Sequence, residues 1–170
     1  LQSKAGFFTE NKQPSIWADS VYESTCGVLF DSDKDGDLDL LIGSGGNEPA
    51  LPLKLYQLRY YQNDGKGNFK KIENSLTQIN GNFSCILAED FDGDGDQDLF
   101  LGRRVVPGNY GLVPGSFLVR NDGKTWTTIT TESLANAAMV TDAVWADIDN
   151  DSRNDLIVVG EWMPVTIHRN

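Results

Sequence analysis

Short apolar runs alternate with polar turns along the whole chain. Val28 to Phe30, Ile86 to Ala88 and Ala143 to Ala146 each precede an acidic stretch, and Leu40 to Ile42, Leu99 to Leu101 and Leu156 to Val159 each follow one. Runs this short, bounded by Gly, Asp, Asn and Ser, predict β-strands, so each acidic stretch is expected to connect the two arms of a hairpin. The segments RYYQNDGKGNF (Arg59 to Phe69) and LVRNDGKTW (Leu118 to Trp126) carry a further strand into an Asn-Asp-Gly turn. An Asp-Gly pair accepts the positive φ angles of a tight hairpin, which predicts a fourth strand after it, at Asn68 to Ile72 and Trp126 to Ile129. The one helix-like stretch, SLANAAM at Ser133 to Met139, is short enough to be a single turn.

These elements recur. FDSDKDGDLDLLIG begins at Phe30, DFDGDGDQDLFLG at Asp90 and DIDNDSRNDLIVVG at Asp147, one unit about every 58 residues, a period found in propeller blades and solenoid coils. Phe69 and Trp126 stand at the same distance before the next acidic loop, and the terminal IHRN matches the opening of a third such segment. Four antiparallel strands per repeat make a propeller blade. The expected fold is therefore all-β, a single unit over 1–170 holding about three blades of four antiparallel strands. The first blade is expected at 24–74, the second at 84–130 and an incomplete third at 140–170, with 1–23, around Phe7 and Phe8, as the outer strand and linker of a preceding blade. Three blades do not close a ring of ~4 to 8. Further blades are expected from a longer chain or from self-association, either of which would cover the end flanks.

Charge sharpens this picture. The chain has 25 Asp and Glu against 14 Lys and Arg, a formal charge of -11. That balance repels phosphate backbones and anionic lipid surfaces, and no apolar run reaches the ~18 residues of a membrane span, so neither nucleic-acid binding nor membrane insertion is expected. The opening LQSKAGFFTE lacks the apolar core of a signal peptide, which leaves the compartment open. The acidity is local: five aspartates in the first loop (Asp31, Asp33, Asp35, Asp37, Asp39), five in the second (Asp90, Asp92, Asp94, Asp96, Asp98) and four in the third (Asp147, Asp149, Asp151, Asp155). Outside the loops acids and bases nearly balance.

Carboxylates packed this densely repel one another and resist a tight hairpin unless a cation screens them. Oxygen-only donors select a hard ion. Calcium accepts six to eight oxygens in an adaptable shell, whereas magnesium demands a tight octahedron and keeps water, so the loops point to calcium. Gly36 and Gly95, at the sixth loop position, give the freedom for a sharp turn; the third loop has Ser152 there and Arg153 in place of the next aspartate. An EF-hand begins similarly but needs an acid at position twelve and flanking helices. Position twelve here is Ile42, Leu101 or Val158. A single loop of this kind could be a solvated acidic turn, but three in register argue against that reading.

At these residues the chain resembles the FG-GAP, or VCBS, repeat family, whose D-x-D-x-D-G-x-x-D loops bind calcium in integrin-type β-propellers. The wider context GSGGNE, LYQLRYYQNDGKGNF and GEWMPVTIHRN is also similar to bacterial secreted proteins of the ASPIC/UnbV and cartilage-acidic-protein type. The resemblance covers nearly all of 21–170. It implies up to three calcium ions with side-chain oxygens from loop positions one, three, five and nine and a backbone carbonyl from position seven. Those positions are Asp31, Asp33, Asp35 and Asp39 with the carbonyl of Asp37; Asp90, Asp92, Asp94 and Asp98 with that of Asp96; and Asp147, Asp149, Asp151 and Asp155 with that of Arg153. It further implies an extracellular, cell-surface or periplasmic location and a structural role for the metal.

Antiparallel connectivity puts the acidic loops on one rim and the connections after the second strands on the other. These opposite loops, GSGGNEPALP, GRRVVPGNYGLVPG and GEWMP, differ most between repeats, and binding commonly resides in such loops on a rigid scaffold. Glu48, Arg103, Arg104, Tyr110, Glu161 and Trp162 are the candidates for contact with a protein or glycan partner. The competing reading is that the aromatics cover blade edges and the arginines pair with nearby acids. His168 has no triad-like sequence neighbours and reads as structural. Trp126 and Trp145 are expected to pack between blades, and carbohydrate stacking is left to Trp162 and Tyr110. Cys26 and Cys85 occupy equivalent places and are expected as free thiols, a disulfide being open if their Cα atoms lie within ~7 Å. The chain reads as non-enzymatic. The alternative is a part of a polysaccharide-active extracellular enzyme, since two carboxylates suffice for glycosidic chemistry.

Overall fold

The computed structural model describes residues 6, 8–48, 52–123 and 125–170. The apolar runs form eleven strands in three antiparallel sheets. The first contains β1 (Ser24–Phe30), β2 (Asp39–Ser44), β3 (Arg59–Asn63) and β4 (Phe69–Ile72) in that order. The second repeats it with β5 (Phe83–Glu89), β6 (Asp98–Arg103), β7 (Phe117–Asn121) and β8 (Trp126–Ile129). The third holds β9 (Met139–Ala146), β10 (Asp155–Glu161) and β11 (Thr166–His168). The first strands β1, β5 and β9 lie against one another in sequence, so the sheets stack face to face as propeller blades do.

The register explains why the middle strands read as unbroken apolar runs. β6 lies between two neighbours, so Leu99 and Leu101 enter one core with Phe30, Leu41 and Phe83, while Phe100 points the other way to join Val140, Leu156 and Val158. Trp126 from β8 meets Phe30 edge to face with ring centroids 6.0 Å apart, across the first two sheets. Trp145 stacks on Phe91 at 6.4 Å across the second and third. Both tryptophans thus pack between blades as expected. The SLANAAM segment yields one helical turn, α1 (Glu132–Ala135), because the Thr131 hydroxyl caps it through the Leu134 N–H at 3.2 Å, and Met139 already starts β9.

Of the expected outer strand near the start, Phe7 lies outside the described residues. Phe8 makes an isolated bridge, and Pro14–Trp17 is a helical turn packed on β4.

One repeated joint escaped the sequence reading. Each first strand carries a bulge at its third-from-start or second residue, leaving Thr25, Ser84 and Thr141 without a cross-strand partner. A bulge re-aims its side chain, and here it sends a hydroxyl to the next blade: Thr25 Oγ1 donates to the Phe83 carbonyl and Ser84 Oγ to the Val140 carbonyl, both at 2.6 Å. Beside each joint a glycine is obligatory for space. A Cβ on Gly43 would fall 2.6 Å from Cys26 Sγ and 2.9 Å from Phe83 Cβ, and one on Gly102 would fall 3.0 Å from Val140 Cγ1. The two cysteines are free thiols. Burial pushes Cys26 up to about 11 and Cys85 up to about 12, so neither is a thiolate at neutral pH.

Candidate metal loops and the opposite rim

The three acidic loops share one backbone design. The carboxylate at position one accepts the N–H of position six, Gly36 to Asp31 at 3.1 Å, Gly95 to Asp90 at 2.9 Å and Ser152 to Asp147 at 3.0 Å. Position five accepts the N–H of position seven, Asp37 to Asp35, Asp96 to Asp94 and Arg153 to Asp151, at 3.0, 2.8 and 3.0 Å. Such aspartate-to-backbone turns curl the chain on itself. Two residues per loop take positive φ to complete the curl, position six (Gly36, Gly95, Ser152) and position four (Lys34, Gly93, Asn150). The glycine signal at position six was readable; that Ser152 holds the same conformation at φ 70° without glycine, and that position four joins it, was not.

The curl brings carboxylates together. In each loop three of them place an oxygen within 4.8 Å of the others: Asp31, Asp33 and Asp35; Asp90, Asp92 and Asp98; and Asp147, Asp149 and Asp151. The ninth-position aspartates are a buried anchor as well. Asp39, Asp98 and Asp155 start the second strands, are 2%, 0% and 2% exposed, and accept the N–H of Asn63, Asn121 and Asn170 at 2.8, 2.8 and 3.0 Å. Asp39 also takes hydrogen bonds from Ser32 and from Tyr60, the latter at 2.8 Å, so its carboxylate is engaged by the protein itself. Asp98 joins its loop's convergent group, whereas Asp39 and Asp155 stand outside theirs.

Neighbouring loops are tied together. Lys34 reaches Asp96 at 2.8 Å, the Asp31 N–H donates to Gln97 at 2.9 Å, and Asn121 donates to the Ser32 carbonyl at 3.1 Å. Asn154 to Glu89 (2.9 Å) and Asn170 to the Phe91 carbonyl (2.7 Å) do the same between the second and third blades.

A hard cation fits this donor set. All the convergent atoms are carboxylate oxygens, and three buried carboxylate atoms in the loops, Asp31 Oδ1, Asp37 Oδ1 and Asp155 Oδ2, have no hydrogen-bond partner. Crowding also marks the electrostatics. Burial pushes Asp98 up to about 6; the Asn121 and Phe91 N–H groups oppose the rise, and the Asp92 and Asp94 charges add to it. The folded state therefore binds this proton more tightly than the unfolded chain, whose carboxyl titrates near 4. Metal-free stability from this group is greatest below pH ~4, is lost as pH rises to about 6, and is flat above. Urea midpoints at pH 4.5 and 7 should show that decline, and an Asp98→Asn variant should show a smaller one.

On the opposite rim the structure draws four of the six candidates into one cluster. Arg104 pairs with Glu161, its Nε 2.7 Å from Oε1, and Tyr110 donates its hydroxyl to the other oxygen of Glu161. The Tyr110 ring meets Trp162 edge to face at 5.7 Å, leaving Trp162 73% exposed at a positive φ of 59°. The other two stand apart. Arg103 folds back into its own loop, donating to the Gly115 and Pro114 carbonyls with its guanidinium over the Phe117 ring, so of the two arginines only Arg104 pairs with an acid as the competing reading anticipated. Glu48 offers its carbonyl to Tyr56 at 3.0 Å. His168 has a serine neighbour that sequence spacing hid, Ser133 Oγ at 2.9 Å from Nδ1, while its Nε2 has no partner and no acid orients the ring among the described residues.

No helix among the described residues is long and apolar enough to cross a membrane. No curated protein matches the chain. Residues 31–101, from the first acidic loop to the end of the strand that follows the second, match the family model described as FG-GAP-like repeat.

Proposed function

We propose that the chain is a calcium-binding, propeller-type interaction module, in which the acidic loops hold up to three structural calcium ions and the opposite rim meets a protein or glycan partner. The observation that carries this reading is the convergence of three carboxylates within 4.8 Å in each of three equivalent loops, two of which lie within the stretch matching the FG-GAP-like repeat. When bound, calcium supplies the charge that lets these carboxylates approach. The residues supply the rest: positions one and three aim side-chain oxygens inward in every loop, joined by position five in the first and third and by position nine in the second, and position seven would offer its carbonyl. The buried ninth aspartate fastens the loop to the sheet.

An extracellular, cell-surface or periplasmic setting suits this role, because millimolar calcium there keeps weak sites filled. A site of ~0.1 mM affinity in ~1 mM calcium adds about 1.4 kcal/mol of stability. Three such sites amount to a rise of roughly 10 °C in the thermal midpoint for a domain of this size. Scanning calorimetry in chelator and in 1 mM calcium should show it, and coincident midpoints would count against the reading.

The rim cluster supports the partner half of the proposal. Arg, Tyr and Trp dominate binding hot spots, and here Arg104 and Tyr110 hold Glu161 while Trp162 projects outward. A non-catalytic role is favoured because most of the acids are engaged in the loops, and Glu161 is committed to Arg104 and Tyr110.

A further inference from the structure

The three loops differ in how their own protein cations treat them. In the third, Arg153 Nη2 pairs with Asp151 Oδ2 at 2.7 Å, and Arg169 pairs with Asp149. Both acids belong to the convergent group of that loop. In the first loop, no Lys or Arg forms an ion pair with any of the five aspartates among the described residues. In the second, Lys34 reaches only Asp96, at position seven, where the backbone carbonyl is the expected donor.

The contrast has a structural origin at the ends of the third strands. The residue before the conserved-register asparagine is Gln62, Arg120 and Arg169 in successive blades. Gln62 donates to Asp33, at position three of its loop, at 2.7 Å; Arg169 reaches the same position, Asp149. Arg120 turns aside to Asp122. In the first and last blades this one position therefore engages the position-three carboxylate of its loop, with a neutral amide in the first and a cation in the last. Position seven repeats the pattern, aspartate in two loops and Arg153 in the third.

Resting on the calcium reading, we infer that Arg153 and Arg169 act as built-in counter-ions that grade the sites, so that the first two loops fill with calcium first and the third fills last. A guanidinium stays charged at all working pH values, so it competes with the metal throughout. Exposed ion pairs of this kind are individually weak, and two of them acting on one site are expected to weaken it about tenfold.

The test is calorimetric calcium titration of the chelator-treated protein beside three variants. The unaltered chain should show two tighter sites and one about tenfold weaker. Asp149→Asn should remove the weak class alone. Arg153→Asp with Arg169→Gln, which recreates the first loop's arrangement, should tighten the weak site about tenfold. The same double variant should melt lower than the unaltered protein in chelator and recover in calcium, a readout independent of binding heat. Three equal sites, loss of a tight site in Asp149→Asn, or a weak site unmoved by the double substitution would overturn the inference while leaving calcium binding intact. Absence of binding at every loop would remove the calcium reading itself.

Discussion

Truncating Phe83 to alanine should destabilise the protein by about 3–5 kcal/mol, the range for removing a buried aromatic. Phe83 is 1% exposed and opens β5 inside the core shared by the first two sheets. Its Cβ lies where a side chain on Gly43 would have to go, and its carbonyl receives the Thr25 hydroxyl. The truncation therefore opens a cavity at the joint between blades, where repeat proteins derive much of their cohesion from the neighbour interface. Urea unfolding should show a lower midpoint. A loss below 1 kcal/mol would mean that the blades do not depend on this contact.

Asp39→Ala should cost nearly as much, about 3 kcal/mol, even without metal. Asp39 is 2% exposed and accepts from Ser32, from Tyr60 and from the Asn63 N–H. Removing the acceptor strands several buried donors, each worth roughly 1–3 kcal/mol when unsatisfied, with partial relief because Ser32 and Tyr60 lie 2.6 Å apart and can bond each other. Asp33→Ala provides the contrast. Asp33 is exposed and accepts only from Gln62 among the hydrogen bonds that hold its loop, so its removal should leave metal-free stability within about 0.5 kcal/mol and abolish calcium binding at the first loop. The two variants divide the first loop into an architectural ninth position and a ligating third position. Equal stability losses in chelator would contradict that division.

The blades were legible because strand and turn signals repeat in register. Leu99, Phe100 and Leu101 had to be strand, and the Asp-Gly turns fixed where β4 and β8 begin. The acidic loops were legible for the same reason, since aspartate at alternate positions has few other uses. Less visible were contacts that depend on where neighbouring blades meet. Thr25 and Ser84 are ordinary strand residues in sequence, and only the bulge turns them toward the next blade. Arg153 could be seen as a departure from the repeat, but Arg169, in a different segment, shows its link to Asp149 only once β11 lies beside β10. The rim residues fared unevenly for a related reason. Arg104, Tyr110, Glu161 and Trp162 come together from two loops, while Arg103, adjacent in sequence to Arg104, turns inward to its own backbone.

The central claim is that the acidic loops are metal sites and not merely acidic turns. Calcium titration of chelator-stripped protein, read for stoichiometry with the thermal midpoint followed in parallel, tests it most directly. The account predicts saturable binding in at least two steps, approaching three ions per chain at high calcium, with the midpoint rising by roughly 10 °C. No saturable heat, together with an unchanged midpoint, would contradict it and leave the loops as solvated turns on a folded scaffold.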